Sequence, residues 1–297
     1  MLFLFVLPFV SFVITLFTSS FGGTGAFLLV PFQVSILGFT SPSVNATNLF
    51  YNLIATPSGV YRYAKEGRLV LPLAVIVVAG TMPGVFIGAM LRVTFFLDPR
   101  LFKFFVGLVL LYLGFFVLHS SLHPSVKIRE LEEKFKEKVK NMRESSRYSV
   151  PSSAVVKTKK FSIWMVEYEF WGKTFSFLTL AIFMISFVIG IIGGIYGIVG
   201  GVILAPALAV FGLPVYTTAG ATLLGTFLTS LFGVVSYTII GYPPEWHIGI
   251  LFGVGGLLGV YCGARLQKYM PERMIRFILS VIVLLTATNY IWQFFSV

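Results

Sequence analysis

Gly22-Gly23-Thr24-Gly25-Ala26-Phe27-Leu28-Leu29-Val30-Pro31 stands near the start of the chain, and a variant returns later as Gly193-Gly194-Ile195-Tyr196-Gly197-Ile198-Val199-Gly200-Gly201-Val202-Ile203-Leu204-Ala205-Pro206. Glycine clusters interrupt helices, because glycine loses the most conformational freedom on ordering and accepts left-handed backbone. A membrane chain that repeats such a break at matching points of its two halves reads as a transporter with internal symmetry.

Composition assigns the chain to the bilayer. With 57% hydrophobic and 11% charged residues and a mean hydropathy of +0.92, a soluble domain of 297 residues would lack the polar surface it needs. Its single cysteine, Cys262, lies in an apolar run and builds no disulfide framework. The opening stretch from Met1 to Phe17 has no positive n-region and no small-residue cleavage site, so it reads as a first membrane helix.

Apolar runs fall at about 2–20, 26–38, 44–61, 69–91 and 101–118, and again at about 175–192, 199–211, 215–240, 247–264 and 274–295. A spanning helix needs about 20 apolar residues, so the second segment of each set is too short and reads as a half-helix or re-entrant leg. Irregular backbone at membrane depth is tolerated only where protein or water satisfies it, which makes the glycine breaks candidate cavity walls.

The duplication can be followed residue by residue. Pro31 aligns with Pro206; after a one-residue slip Gly38, Asn45, Asn48, Asn52, Thr56, Gly59, Tyr63 and Gly67 meet Gly212, Ala219, Thr222, Thr226, Ser230, Gly233, Tyr237 and Gly241. Gly84 and Gly88 then meet Gly259 and Gly263. A nearly constant offset across four segments is the mark of an internal repeat.

Lys and Arg placement orients the chain. With five crossings per half, Arg62, Lys65, Arg68, the 119–173 connection, Arg265, Lys268, Arg273 and Arg276 share one face, and Arg92, Arg100 and Lys103 the other. The first face is therefore expected to be cytoplasmic, with both termini outside and the second repeat inverted.

Residues 119–173 hold twelve of the 22 Lys and Arg and seven of the 11 Asp and Glu, a net +5. Leu131, Phe135, Val139 and Met142 form one apolar helical stripe. Beyond Pro151, Val166, Tyr168 and Phe170 alternate with Glu167 and Glu169, and Trp171-Gly172-Lys173 can turn into 174–177, which predicts a small β-hairpin. This segment reads either as a docking or gating module or as a basic connector against anionic lipid. Interleaved acidic residues exclude nucleic acid as a partner. The expected organisation is a first membrane repeat at 1–118, a cytoplasmic α+β insertion at 119–173 and a second membrane repeat at 174–297.

Within the apolar runs there is no Asp or Glu, and His119, His123 and His247 fall in or beside loops. Metal ligation, paired-carboxylate catalysis and nucleophile–histidine chemistry lack their residues, so the chain does not read as an enzyme and no cofactor is implied. What the core offers is a polar stripe. Asn45, Asn48, Asn52 and Thr56 are spaced three, four and four, on one helical face, and Thr222, Thr226 and Ser230 repeat the last two spacings. Such residues serve either as hydrogen-bonding glue between membrane helices or as a solute site. Free N–H groups at half-helix N-termini, together with amides and hydroxyls, suit a small anion without a buried cation. Arg62 and Arg265 sit where they can attract anions at the cytoplasmic mouth or anchor the interface.

The doubled glycine runs ending in Pro31 and Pro206, followed by Val44-Asn45-Ala46-Thr47-Asn48 and Ala219-Gly220-Ala221-Thr222, resemble the TauE/SafE sulfite exporter family over both hydrophobic halves. The long insertion is similar to archaeal members. The resemblance implies transport of sulfite, an organosulfonate or a related sulfur anion, with a solute-facing role for Gly23, Thr24, Gly25, Asn45, Asn48, Asn52, Gly200, Gly201, Thr222 and Thr226.

The resulting expectation is an all-α polytopic cell-membrane protein of two inverted five-segment repeats, about ten segments with the second of each short, joined by the small α+β insertion. It would be a secondary transporter working by alternating access; an anion channel or a signalling subunit acting through the insertion is the other reading. Expelling a monoanion from a negative-inside cell yields about 2.3 kcal/mol per 100 mV, so export needs no coupling ion. Exchange, uniport, a Na⁺ partner and homodimerisation stay open.

Overall fold

The computed structural model describes residues 2–19, 23–65, 67–122, 156–170, 172–199, 203–204, 207–208, 211, 213, 215–266 and 272–296. The apolar stripe of Leu131, Phe135, Val139 and Met142 lies outside them, as do Gly22, Gly200, Gly201, Pro206 and Gly212.

The first half supplies helices α1 (Leu2–Thr18), α2 (Ala26–Ser35), α3 (Ser43–Ala55), α4 (Pro57–Lys65), α5 (Leu71–Thr94) and α6 (Pro99–Leu122). Strands β1 (Lys157–Phe161), β2 (Met165–Phe170) and β3 (Lys173–Leu178) follow, then helices α7 (Thr179–Tyr196), α8 (Val215–Ile239), α9 (Trp246–Leu266) and α10 (Glu272–Phe295). Among the described residues, stretches within α5 to α10 make six helices long and apolar enough to cross a membrane, while Phe5–Thr18 and Ala26–Ser35 are shorter apolar helices. The chain is a multi-pass membrane protein. Ten residues of α2 rise only about 15 Å, half of a hydrocarbon core of about 30 Å.

The third segment, read from sequence as one run, is two helices parted at Thr56. Pro57 opens the second, where its missing N–H costs nothing and its ring disfavours uninterrupted helix through the preceding residue.

Small residues set how the helices pack. A Cβ placed on Gly80, Gly84 or Gly88 of α5 would collide with the carbonyl oxygens of Phe183, Phe187 and Ile191 on α7. On the other side of the molecule, a Cβ on Gly255, Gly259 or Gly263 of α9 would collide with the carbonyls of Pro8, Phe12 and Leu16 on α1. Every member of the second set is displaced by 175 residues from its counterpart in the first, 80 to 255 and 8 to 183. Residue numbers rise together along both contacts, so α5 runs parallel to α7 and α1 parallel to α9.

The same reading gives the remaining directions. Gly249 and Gly253 of α9 face Phe50 and Ile54 of α3, and Gly225 and Gly233 of α8 face Val77 and Val85 of α5, both parallel pairs. Gly59 meets Leu223 whereas Gly233 meets Leu49, so the α3–α4 arm runs antiparallel to α8; Gly107 and Gly114 of α6 meet Ile291 and Leu284 of α10, also antiparallel. Two parallel triads result, α1, α3 and α9 pointing one way and α5, α7 and α8 the other.

An antiparallel sheet in the order β1-β2-β3 sits on the second triad. Val166, Tyr168 and Phe170 of β2 and Phe177 of β3 are buried in one cluster with Val70, Leu73, Ala74 and Val77 at the start of α5, Ile182 of α7 and Ala221 of α8. Three strands stand where the sequence suggested a two-stranded hairpin. The extra one, Lys-Thr-Lys-Lys-Phe, is wholly exposed and carries no alternating apolar signal. Val156 N donates to Gly67 O at 2.8 Å, and the Tyr168 and Thr217 hydroxyls lie 3.0 Å apart, tying the sheet to both halves. Burial pushes the Tyr168 phenol up to about 12, against a smaller opposing effect of its Thr217 hydrogen bond. On the exposed strands Lys159 lies 2.8 Å from Glu169 and holds that carboxyl below its usual range.

Candidate functional site

The Asn stripe of α3 lies between the two glycine breaks. Before α2, Gly25 adopts a left-handed conformation (φ 74°), and after α7 Gly197 does the same (φ 81°). At Gly197 a Cβ would sit 2.7 Å from the Cα of Asn45, so the second break is pressed directly against the start of the stripe.

Each asparagine spans from its own helix to a break. Asn48 Nδ2 donates to Ala26 O at 3.1 Å and to Gly197 O at 2.7 Å, so one amide joins the two breaks. One turn earlier, Asn45 Nδ2 donates to Ile195 O at 2.6 Å. One turn later, Thr24 Oγ1 donates to Asn52 Oδ1 at 2.8 Å. The Thr56 hydroxyl donates to Asn52 O at 2.7 Å, within its own arm. Tyrosines complete the frame: Tyr51 donates to Thr24 O, Tyr196 to Phe27 O at 2.7 Å and Tyr237 to Gly194 O at 2.7 Å. Side-chain donors thus meet the carbonyls of Thr24, Ala26, Phe27, Gly194, Ile195 and Gly197 around the breaks.

The second stripe is tied to its break as well. Thr226 Oγ1 donates to Val199 O at 3.1 Å and to Thr222 O at 2.8 Å, and Thr222 donates to Ala219 O of its own helix. Val199 stands 175 residues beyond Thr24 and Thr226 stands 174 beyond Asn52, so break and stripe are linked at corresponding positions in both halves, with the donating hydroxyl on the break in the first and on the stripe in the second.

Asn45, Asn48, Asn52, Thr56, Thr222 and Ser230 are all 0% exposed. Among the described residues, Asn48 Oδ1, Asn52 Nδ2 and Ser230 Oγ are buried without a hydrogen-bond partner. An unmet buried polar atom costs about 1–3 kcal/mol, and two of these lie one turn apart on the same face of α3. A donor and an acceptor are thus left unmet on one face of α3 in a region closed to solvent.

Sequence reasoning missed Arg92. It was counted with the charges outside the apolar runs, but α5 continues to Thr94 and turns this side chain inward, where it is 0% exposed. Its Nε donates to Asn45 Oδ1 at 3.2 Å, Nη2 to Thr40 O at 2.8 Å and Nη1 to Phe96 O. The guanidinium carbon lies 3.8 Å from the centre of the Phe102 ring. The expectation of a core without a buried cation is corrected here: the stripe ends against one.

Of the other selected residues, Gly23, Thr24 and Gly25 are buried at the first break beside the stripe. Gly200 and Gly201 lie outside the described residues. Arg62 is half-buried in the last turn of α4, and Arg265 belongs to α9, its side chain outside the described set. A cavity of about 220 Å³ lined by Arg100, Lys103, Tyr290 and Gln293 lies between the ends of α6 and α10 and contains none of the selected residues. Among the described residues no three His, Cys, Asp or Glu side chains gather as a metal site.

Neither a curated protein nor a solved structure matches the chain. A family model does, over residues 7–290, so both breaks, both stripes and the insertion fall inside one alignment. Because that model, described as sulfite exporter TauE/SafE, spans nearly the whole chain, the protein belongs to this family of membrane transporters.

Proposed function

We propose that the protein is a secondary transporter, working as an exporter, of a small sulfur oxyanion such as sulfite or an organosulfonate, bound between the Asn stripe and the two breaks. The observation that carries this reading is the pair of unmet atoms, Asn48 Oδ1 and Asn52 Nδ2, on residues already tied to both breaks. The amide N–H can donate to an oxyanion, while the carbonyl oxygen can accept from a protonated one or from water. Gly23, Thr24, Gly25, Thr56, Thr222, Thr226 and Ser230 complete the assigned lining, with Gly200 and Gly201 at the second break. Arg62 and Arg265 are assigned to the cytoplasmic mouth.

Side-chain donors occupy the carbonyls of Thr24, Ala26, Ile195 and Gly197, which removes exposed negative dipole ends from the breaks. What then faces an entering solute is weighted toward the N–H side, as an anion requires.

Alternating access follows from inverted repeats. The antiparallel relations of α3 to α8 and α6 to α10, with α1 opposed to α7 and α5 to α9, are those of two halves exchanged by a twofold axis in the membrane plane. The exchange swaps the two triads, so rocking one against the other would alternately uncover the stripe. In this arrangement the sheet lies on the cytoplasmic side and both termini outside. A carrier fits better than an open channel, since the stripe residues are sealed from solvent.

Reconstituted proteoliposomes loaded with unlabelled sulfite should show saturable counterflow of labelled sulfite or methanesulfonate. Linear flux without saturation would replace the carrier by a channel, and absence of any flux would remove the sulfur-anion assignment.

A further inference from the structure

We propose that Arg92 is the fixed positive charge of the transport pathway, the group that accepts the anion's charge at the end of the Asn stripe. This rests on the reading of the stripe as an anion site and adds to it the residue that makes the site selective for charge.

A guanidinium carries five N–H donors and cannot be deprotonated at physiological pH. Buried ions are costly unless an opposite charge and a full set of hydrogen bonds meet them, and an ionisable side chain inside a membrane protein is retained where it has work to do. Arg92 is wholly buried, yet among the described residues its partners are all neutral: one amide oxygen, two backbone carbonyls and an aromatic face. The nearby end of α5 offsets part of the charge, because helix C-termini carry partial negative charge. Among the described residues no carboxylate completes the balance. An oxyanion supplies what is missing.

Position supports the assignment. The sheet packs against Val70 to Val77 at the start of α5, and Arg92 stands fifteen residues beyond Val77, about 22 Å along the helix, so the cation marks the far end of the pathway. Its partner Asn45 also holds Ile195 O at the second break and is followed one turn later by Asn48, with its unmet Oδ1. An anion moving along the stripe toward this end can take the guanidinium fork from Asn45 and Thr40, which frees the start of α3 and the 38–40 loop from α5. In the second half Asn45 corresponds to Ala219 and, at the offset of 175, Arg92 corresponds to Gln267, so neither member of the pair is repeated.

The purified full chain in detergent tests this by anion-induced thermal stabilisation. Methanesulfonate is compared with dimethyl sulfone, a neutral molecule of similar shape, in wild type, Arg92→Gln and Arg92→Lys. Wild type should respond to methanesulfonate and not to the sulfone. Arg92→Gln should weaken the apparent methanesulfonate affinity by about tenfold to a hundredfold, the range for a lost hydrogen bond to a charged group. Arg92→Lys should keep the preference for the anion at reduced affinity, since the charge remains while the fork is lost.

A merely structural arginine gives another pattern: both variants melt lower at every anion concentration with the wild-type affinity unchanged, and that result overturns the proposal. If Arg92→Gln yields no folded protein, Arg92→Lys decides alone, because loss of the anion preference with the charge retained also overturns it. No response of wild type to methanesulfonate or sulfite overturns the anion reading of the stripe, and this proposal with it. A normal wild-type response left intact in Arg92→Gln removes only the role of Arg92.

Discussion

The α1–α3–α9 triad and the α5–α7–α8 triad share one packing scheme and differ in their chemistry. In both, three glycines four residues apart bring a helix onto the carbonyls of a parallel neighbour, and in both a hydroxyl fastens a break to the polar stripe. The first triad carries Asn45, Asn48 and Asn52, where the second carries Ala219, Thr222 and Thr226; the second alone holds Arg92 and bears the sheet. Duplication preserved what backbone contact demands, because nothing larger than glycine fits there. The polar side chains of the two stripes differ between the halves. On the proposed function, recognition is one-sided while the packing scheme is shared.

The largest expected effect tests the shared part. Gly84→Leu should displace the α5–α7 contact and Gly259→Leu the α1–α9 contact, each costing more than about 3 kcal/mol, since neither collision is with a flexible side-chain end. Both variants should fail to give a monodisperse folded peak in detergent chromatography. Tolerance of one and not the other would show that the two interfaces are not equivalent.

Next comes the divergent part. Asn48→Leu leaves the carbonyls of Ala26 and Gly197 without their shared donor, so it should lower stability by about 1–3 kcal/mol and reduce counterflow to background while the protein still folds. Among the described residues the Thr222 hydroxyl bonds to Ala219 O of its own helix, so Thr222→Val should change stability by less than about 0.5 kcal/mol and lower flux less than Asn48→Leu does, because it takes one hydroxyl from the assigned lining and leaves the Asn stripe intact. Equal flux in the two variants would end the claim that the chemistry is one-sided.

A finer comparison uses the repeated link. Thr24→Val and Thr226→Val should each cost about 1 kcal/mol, because each loses one buried hydrogen bond to the opposite element. The first should raise the KM for sulfite more than the second, since Thr24 holds Asn52, whose Nδ2 is one of the unmet donors. A matching rise in Thr226→Val would extend the solute site evenly across both halves.

The scaffold was more legible in the sequence than the chemistry, for a physical reason. Gly84, Gly88, Gly259 and Gly263 keep their offset because close helix contact admits no alternative, and the α3 stripe was visible because polar residues at helical spacing stand out in an apolar run. The bend at Thr56 was written in Pro57 but overlooked inside a long hydrophobic stretch. Arg92 could not be recognised, since the last turn of a spanning helix and the first residues of a loop look alike in composition. Its inward turn depends on Asn45 and Phe102, which are distant in sequence. Strand β1 gave no alternation because both of its faces are exposed; it exists through pairing with β2.

The smallest expected effect concerns the feature with no counterpart, the sheet on the second triad. Tyr168 is buried against α5 and α8, and its phenol is raised from 10.0 to about 12. Between those values the unfolded chain releases the proton more readily than the folded one, so stability present below pH 10 is lost as the pH rises toward 12. Other buried tyrosines contribute to alkaline unfolding as well, so the informative quantity is the difference between wild type and Tyr168→Phe. At neutral pH the substitution should cost about 1 kcal/mol through the Thr217 hydrogen bond. As pH rises from 10 toward 12 the sign of the difference should reverse, the variant becoming the more stable, because phenylalanine fills the same pocket without a proton to lose. A constant difference across that range in thermal unfolding would mean that Tyr168 is not held between α5 and α8 in solution. The sheet would then be a tethered appendage of the second triad.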